Sequence, residues 1–291
     1  MKCVASRVSL VLALWCSFVL GVCAQGSAPG EAIAVTYGPP SHSNILGSTF
    51  VNWDAMIAKP TDVGEYRAVF DNPTPTLEKL EVHVTTLLPG KSSHPPHHHP
   101  WEEMLVIKEG ELEVTLNGQP RHARSGSLVF FAAHDPHNAR NSSDQPVTYY
   151  VINFYTDLVH TVPNKPAAEQ AVPGRLPSSI FDCNALPVTA TATGSTVNIV
   201  NSPTLTFLNL SSHITTLNVG ESTRAEQLDP GDEIFVLKSG LLEATVNGVT
   251  SRIKEGSLFY CAPNDKRGFR NMGSTPTSYM VIKVVSDKTP K

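Results

Sequence analysis

The feature that most constrains the fold is an internal repeat. Adding 130 to a position in the first half of the chain gives its counterpart in the second half, and no gap is needed. So many identities at one offset indicate two copies of one folding unit, and 291 residues are enough for two domains. The matched pairs include Leu80 and Leu210, His83 and His213, Gly90 and Gly220, Glu103 and Glu233, Gly110 and Gly240, Asn117 and Asn247, Gly126 and Gly256, and Asn141 and Asn271.

Each copy has the sequence pattern of an all-β domain. Apolar and polar residues alternate over the segments 111–116 and 242–246, and both segments end at Asn-Gly, the favoured two-residue hairpin turn. Glycine and proline interrupt the chain about every ten residues, and no segment has a helical apolar period. The sequence therefore predicts two compact antiparallel jelly-roll barrels.

A histidine-rich segment in the first copy predicts a metal site. His97 and His99 are two residues apart, so both side chains leave the same face of an extended strand. Glu103 keeps the same parity, and His137 offers a further ligand downstream. Neutral imidazoles and a carboxylate that converge on one point suit a borderline divalent metal.

These residues resemble the two sequence motifs of the cupins, G-x5-H-x-H-x3-4-E-x6-G and G-x5-P-x-G-x2-H-x3-N. The departures are six residues after Gly90 instead of five, and Ala132 and His134 where Pro and Gly are usual. The resemblance implies two tandem cupin barrels of the jelly-roll, double-stranded β-helix type, with His97, His99, Glu103 and His137 as metal ligands. The matching positions are Gly90, His97, His99, Glu103 and Gly110 in the first motif, and Gly126, His137 and Asn141 in the second.

The second copy has lost most of this ligand set. The four positions become Gln227, Asp229, Glu233 and Arg267. Arginine has no lone pair to give a metal, so Arg267 is expected to pair with Glu233 or Asp229 instead. We expect a metal-free second barrel with a scaffolding or dimerisation role, and a retained ligand pocket is the alternative. By the same comparison His83 is expected to be structural, because its counterpart in the second copy is also a histidine.

Neighbouring residues of the motif carry weaker predictions. His98 has the wrong parity and is expected to face away, while His94 is expected beside the ligands or in solvent. Trp101 and the pair Phe130–Phe131 either wall the pocket or belong to the core. Asn153 is a candidate functional residue, because its counterpart in the second copy is a lysine.

The first 24 residues have the pattern of a signal peptide. Lys2 and Arg7 precede an apolar run over residues 8–22, and small residues lead to an expected cleavage after Ala24. The mature protein is therefore expected to be secreted or periplasmic, without stable membrane insertion. A lipid anchor at Cys23 and an uncleaved membrane anchor are the alternatives.

Charge and cysteine content narrow the function further. The chain has 22 basic residues, two of them in the leader, so 20 remain against 26 acidic ones, a net charge of −6. No basic patch remains to bind nucleic acid. Only Cys183 and Cys261 remain outside the leader, too few for a disulfide framework. Two buried thiols are expected, with a bond between them as the alternative.

The sequence divides into six segments. The predicted segments are a signal peptide over 1–24, a loose N-terminal arm over 25–49, a metal-binding barrel over 50–159, a linker over 160–178, a degenerate barrel over 179–286 and a tail over 287–291.

The function expected from these features is that of an exported metal-dependent enzyme. It would hold one divalent ion, Mn, Fe, Ni or Zn, and act on a small hydroxylated or carboxylated molecule. The resemblance implies a dioxygenase, a decarboxylase or a sugar-acid-converting cupin. Ureidoglycine aminohydrolases carry the metal in the second barrel and oxalate decarboxylases usually fill both, so neither placement matches.

Two non-catalytic functions and one question of assembly stay open. The first alternative is a metal-binding or sugar-binding bicupin without catalysis, and the second is a storage protein. Storage cupins generally lose the ligands that this first copy keeps. Whether the chain forms a homodimer is also open at this stage.

Overall fold

The computed structural model describes residues 32–35, 39–170, 172–223 and 227–291. Regular structure within them is almost entirely β-strand, which confirms the all-β prediction. The exceptions are one helical turn, α1 (Ala167–Gln170), and two 3-10 turns, Trp53–Ala55 and Asp157–His160.

Apart from β1 (Ile33–Ala34) and β6 (His97–His98), which have no counterpart among the described strands of the second copy, the strands of the two copies follow one another in the same order. The first half carries β1 (Ile33–Ala34), β2 (Thr49–Val51), β3 (Lys59–Thr61), β4 (Gly64–Asn72), β5 (Lys79–Leu87), β6 (His97–His98), β7 (Glu102–Glu109), β8 (Glu111–Leu116), β9 (Gln119–Arg124), β10 (Leu128–Phe131), β11 (His137–Arg140) and β12 (Val147–Tyr155). The second half carries β13 (Ser179–Phe181), β14 (Thr189–Thr191), β15 (Gly194–Ser202), β16 (Asn209–Leu217), β17 (Asp232–Ser239), β18 (Leu241–Val246), β19 (Val249–Lys254), β20 (Leu258–Cys261), β21 (Arg267–Asn271) and β22 (Thr277–Val285).

These strands build two barrels, each from a large and a small sheet. The front barrel has a seven-stranded sheet in the order β13-β10-β7-β12-β5-β4-β3 and a five-stranded sheet in the order β1-β6-β11-β8-β9. The rear barrel has a seven-stranded sheet in the order β14-β15-β16-β22-β17-β20-β2 and a three-stranded sheet in the order β19-β18-β21. The space between the two sheets of each barrel can hold a metal-binding or ligand-binding site.

The two copies exchange one strand each. β2 pairs with β20 of the rear barrel, with Val51 opposite Leu258. β13, which is β2's counterpart in the repeat, pairs with β10 of the front barrel, with Phe181 opposite Leu128. Each barrel therefore takes one strand from the other sequence unit.

Part of the N-terminal arm is bound to the metal motif. β1 runs parallel to β6, and the N–H groups of Ile33 and Val35 donate to the carbonyls of Pro96 and His98 at 2.9 and 2.7 Å. Leu46 is buried in the core. The prediction of a loose arm is wrong for these residues, because the backbone donors of Ile33 and Val35 find acceptors and the side chain of Leu46 packs in the core.

The Asn-Gly hairpins form as predicted. Asn117 and Asn247 have φ angles of 47° and 48°, and the glycine that follows each has a φ near 80°. Two successive residues with positive φ define the turn that matches the right-handed twist of the flanking strands. This turn closes β8 onto β9 in the front barrel and β18 onto β19 in the rear barrel.

The barrels pack against each other through one shared apolar core. It includes large side chains from both, among them Phe130, Tyr150 and Phe154 from the front and Phe207 and Tyr260 from the rear. A separate apolar cluster fills the interior of each barrel. The shared core means that neither barrel buries its apolar surface alone.

A buried carboxylate of the front barrel accepts hydrogen bonds from the rear barrel at this interface. Glu102 is fully buried, and its oxygens accept from the backbone N–H of Leu205 at 2.9 Å and the hydroxyls of Thr204 and Thr206 at 2.5 and 2.8 Å. All three donors lie in the other repeat. Glu102 therefore ties the two barrels together.

The repeat supplies the mirror image of this contact. Asp232, the counterpart of Glu102, is fully buried and accepts from the hydroxyl of Thr76 in the front barrel. The hydroxyl of Tyr260 donates to its other oxygen at 2.5 Å. One buried acid from each barrel therefore accepts hydrogen bonds across the interface. Glu102 accepts from Thr204 and Thr206 of the rear barrel, and Asp232 accepts from Thr76 of the front barrel.

Asp232 gives the interface a dependence on pH. Burial raises the pKa of Asp232 above its ordinary value, so the folded protein keeps this proton at pH values where the unfolded chain has lost it. The resulting stability is present below about pH 4 and declines as the pH rises through the folded pKa. We expect the free energy of unfolding in urea, relative to Asp232→Asn, to fall as the pH rises above about 4. A relative stability that rises or stays level over this range would contradict the assignment.

The two cysteines outside the leader are separate buried thiols, as predicted. Cys183 and Cys261 are both free. Burial raises the pKa of each, that of Cys261 to about 12. Both are therefore expected to be unreactive core side chains.

The predicted signal peptide and its two alternatives lie outside the described residues. Among the helices in the described part of the chain, none has the length and apolar content needed to span a membrane.

Candidate metal centre

Three histidines of the front barrel converge between its two sheets. His97 on β6 lies directly opposite His137 on β11, and His99 follows in the connection from β6 to β7. One ring nitrogen of each lies within 4.8 Å of those of the other two, and all three side chains are buried. This spacing suits three ligands of a single ion.

Glu103 reaches the same point from the opposite sheet. Its carboxylate oxygens lie 3.5 Å from Nε2 of His99 and 4.0 Å from Nε2 of His137. The neighbouring Glu102 points to the other face of β7 and belongs to the interface between the barrels. The structure therefore brings all four predicted ligands together, with Glu103 against two of the three histidines.

Backbone contacts orient two of the imidazoles toward this point. Nδ1 of His99 donates to the carbonyl of Trp101 at 2.9 Å, and Nδ1 of His137 donates to the carbonyl of Asp135 at 2.8 Å. Each bond leaves the lone pair on Nε2, as in histidines that ligate a metal.

One ring nitrogen of each of these three histidines lacks a hydrogen-bond partner within the described residues. This holds for Nε2 of His99, Nε2 of His137 and Nδ1 of His97, all of them buried. Buried polar atoms are almost always paired, and several orphaned lone pairs at one point need an explanation. A metal ion bound at this point would satisfy them, so the residues fit the ion that the motif implies.

Burial keeps these histidines neutral. Desolvation lowers the pKa of His99 and of His137 to about 3 and lowers that of His97 as well. Desolvation also raises the pKa of Glu103, against the effect of His137. Neutral imidazoles carry the free lone pairs that a divalent cation needs, and the cation would compensate the burial of the carboxylate.

Two aromatic rings hold the imidazoles in place. Trp101 stacks on His99 with ring centroids 4.1 Å apart and planes 2° apart, and Phe131 stacks on His137 at 4.1 Å and 15°. Phe130 instead belongs to the core between the barrels. Trp101 and Phe131 are therefore walls of the site, and Phe130 is core.

A chain of hydrogen bonds connects Trp101 to His83, a histidine outside the group of three. Trp101 donates to Asn153 at 3.1 Å, Asn153 donates to Glu81 at 2.7 Å, and the other oxygen of Glu81 lies 2.7 Å from Nδ1 of His83. Sequence reasoning singled out Asn153 but missed Glu81. A signal was present, because these positions differ between the repeats and become Gly231, Lys283 and Ser211.

A cavity lies beside the candidate metal site, and His83 is one of the residues that line it. The cavity has a volume of about 330 Å³, and Glu103 and His137 also line it. The ring of Tyr66 lies 4.8 Å from that of His83. Most of the remaining wall is apolar, formed by Val63, Leu105, Phe131, Ala139 and Val151.

The other histidines of the motif lie around the site. His94 is exposed, with its ring 4.0 Å from that of His97. His98 is half-buried, and its ring lies 5.9 Å from that of His134. His97 and His98 thus diverge, as their opposite parity predicts.

The rear barrel replaces the ligands by two ion pairs. Arg267, the counterpart of His137, pairs with Glu233, as predicted. Asp229, the counterpart of His99, pairs with Lys283 at 2.8 Å. Across the described ranges, the front histidines form the one group of three or more acidic, histidine or cysteine side chains with metal-ligand spacing.

Fold and site together define a tandem β-barrel protein with a potential metal centre in one barrel. A family model described as "Cupin domain" matches residues 83–153 and again residues 213–283, which reproduces the 130-residue offset. The chain belongs to the cupin family and is a two-domain cupin. A comparison with curated protein sequences gives no match.

Solved structures share this architecture at low sequence identity. A putative glyoxylate-induced protein from Pseudomonas aeruginosa matches with a TM-score of 0.66 and 15% identity, over 87% of this chain and 95% of that one. A formate complex of Lactobacillus farciminis oxalate decarboxylase matches with a TM-score of 0.64 and 15% identity, over 84% of this chain and 88% of that one. A variant of salicylate 1,2-dioxygenase from Pseudoaminobacter salicylatoxidans, in complex with gentisate, matches with a TM-score of 0.61 and 17% identity, over 81% of each chain. These similarities establish the fold.

Proposed function

We propose that the protein is an exported metal-dependent enzyme whose front barrel acts on a small hydroxylated or carboxylated organic molecule. One divalent ion, Mn, Fe, Ni or Zn, would be held by His97, His99, His137 and Glu103. The leader over residues 1–24 supports export to a secreted or periplasmic location.

The observation that carries this proposal is the set of buried, unpartnered imidazole nitrogens at the end of a cavity. A purely structural histidine cluster would be expected to satisfy its nitrogens internally. Here two histidines use one nitrogen on the backbone and leave the other free toward Glu103. The cavity beside them gives a substrate access to that point.

The cavity selects for size and polarity. About 330 Å³ with largely apolar walls accommodates a small organic acid or a single aromatic ring. Two structural neighbours are an oxalate decarboxylase with formate and a salicylate dioxygenase with gentisate, which supports this substrate class. When bound, the metal would polarise an oxygen of the substrate or orient a bidentate ligand.

His83 is the residue of this chain placed to move a proton. Glu81 holds Nδ1 of His83 at 2.7 Å, so Nε2 is the nitrogen available to the cavity. A histidine oriented by a carboxylate is an effective general acid or base. In the rear barrel His213 has Ser211 at the position of Glu81, so the paired form belongs to the front site.

Replacing His83 by glutamine is expected to reduce turnover by about 10² to 10⁴-fold and to leave bound metal unchanged. Glu81→Gln should give a smaller loss, because it removes the carboxylate that orients the imidazole. His213→Gln in the rear barrel is the matched control. Full activity in His83→Gln would refute the assignment of proton transfer.

The test of the proposed function combines elemental analysis with a substrate screen. Purified mature protein, loaded separately with Mn, Fe, Ni and Zn, would be assayed for oxygen uptake and product formation on salicylate, gentisate, oxalate and unsaturated uronates. We expect turnover of at least one compound that depends on the ion and is lost in His97→Ala. Stoichiometric metal without turnover of any compound would favour a non-catalytic binder.

A further inference from the structure

The rear barrel keeps a cavity at the position where the front barrel has its metal site. Its volume is about 580 Å³, against about 330 Å³ in front. Arg267 and Glu233 line its inner part, and the exposed residues Thr191 and Ala192 lie at its mouth. The loss of the histidines has therefore left an accessible polar cavity.

Arg267 presents an unused donor at this cavity. Its side chain is only 7% exposed and pairs through Nη2 with Glu233, yet its Nε has no acceptor among the described residues. Leaving a buried donor unsatisfied is unfavourable, and more so when the donor belongs to a charged group. An acceptor atom supplied by a ligand in the cavity would remove this penalty.

The fixed charges that line the inner end of the cavity form one ion pair. Among the described residues that line it, Arg267 is the one cation and Glu233 the one acid, and the two side chains are paired. Burial lowers the pKa of His213, so this lining residue is neutral near pH 7. A neutral ligand enters such a site without leaving an uncompensated buried charge, whereas an anion would lie against Glu233.

The walls combine hydroxyl groups with aromatic rings. The guanidinium of Arg267 lies over the ring of Phe235 at 5.9 Å, and Phe269 and Tyr279 extend the aromatic side. This pairing suits a molecule with several hydroxyls and an apolar C–H face. The hydroxyl-bearing lining residues include Thr191, Thr193, Ser195, Thr196, Thr215 and Ser222.

We propose that the rear cavity binds a neutral polyhydroxylated ligand, a sugar or a cyclitol. One ligand hydroxyl accepts from Nε of Arg267, a neighbouring hydroxyl donates to the carboxylate of Glu233, and the ring packs on Phe235 and Phe269. The site is independent of the metal centre in the front barrel.

Saturation-transfer NMR and titration calorimetry test this with D-glucose, D-galactose and myo-inositol as neutral probes and D-glucuronate as the charged counterpart of glucose. We expect saturable binding of at least one neutral probe at one site per chain, with glucuronate weaker than glucose. Absence of saturable binding by all three neutral probes, or tighter binding of glucuronate, would overturn the proposal.

Arg267→Lys is the sharpest variant, because it keeps a cation beside Glu233 and removes the Nε donor. We expect an affinity loss of about tenfold or more with a melting temperature close to that of the wild type. Thr191→Trp, at the exposed mouth, should weaken binding without touching the ion pair. Unchanged affinity in both variants would place the probes elsewhere.

His97→Ala separates this proposal from that of the front site. This variant removes a proposed metal ligand and should leave binding of the neutral probe unchanged. Loss of probe binding in His97→Ala would assign the probe to the front cavity and overturn the rear site. Conversely, failure of the rear site to bind leaves the metal content of the front barrel as a separate result.

Discussion

Replacing His97 by alanine is expected to take the protein from roughly one divalent ion per chain to almost none. His97 supplies one of three clustered imidazoles, and Glu103 contacts only the other two. Two imidazoles and one carboxylate would remain, and we expect the affinity to fall by more than about 100-fold, since even outer contacts to ligands contribute 10–100-fold. Elemental analysis of the purified, metal-loaded protein measures this directly.

The repeat supplies the matched control for this variant. Arg267→Met combined with Glu233→Gln alters the corresponding place in the rear barrel, and metal content should then equal that of the wild type. Circular dichroism would establish that both proteins are folded. Stoichiometric metal in His97→Ala, or loss of metal in the rear variant, would contradict the assignment of the site.

The second large effect is expected at the interface between the barrels. Glu102→Ala removes the acceptor for the N–H of Leu205 and the hydroxyls of Thr204 and Thr206. Burial raises the pKa of Glu102 to about 7, so the loss is offset in part by removing a carboxyl group that is costly to bury. We expect a net destabilisation of about 3 kcal/mol, measured by urea denaturation.

Glu109→Ala is the control for this substitution. Glu109 lies on the same strand, β7, but is exposed, and its replacement should change the free energy of unfolding by less than about 0.5 kcal/mol. Asp232→Ala should reproduce the effect of Glu102→Ala from the other barrel, because Asp232 makes the mirror-image contact. Equal stability of Glu102→Ala and Glu109→Ala would show that the hydrogen bonds do not hold the barrels together.

Local patterns were sufficient to predict the repeating unit. The alternation along β8 and β18, the Asn-Gly turns and the spacing of His97, His99 and Glu103 each depend on residues close in sequence. The spacing to Gly110 and the repeat partner Glu233 favoured Glu103, which faces the candidate metal site, over Glu102, which faces the other barrel. These features follow from short-range geometry that the sequence specifies directly.

Long-range pairing was not predictable in the same way. The exchange of β2 and β13 depends on which open sheet edge each short strand reaches after folding. The pairing of β1 with β6 joins residues about sixty positions apart through backbone groups, which carry no side-chain signal. The Glu81–His83 pair was missed because His83 was judged by its repeat partner alone, without its neighbour on the same face of β5.

The central claim is that the front barrel binds one divalent ion through three imidazoles and a carboxylate. Crystals of the protein grown with manganese, iron, nickel or zinc, measured at the absorption edge of the metal, test it most directly. The account predicts one anomalous peak per chain, within about 2.0–2.3 Å of His97, His99, His137 and Glu103. No peak at this point, or a peak beside Arg267 in the rear barrel, would contradict it.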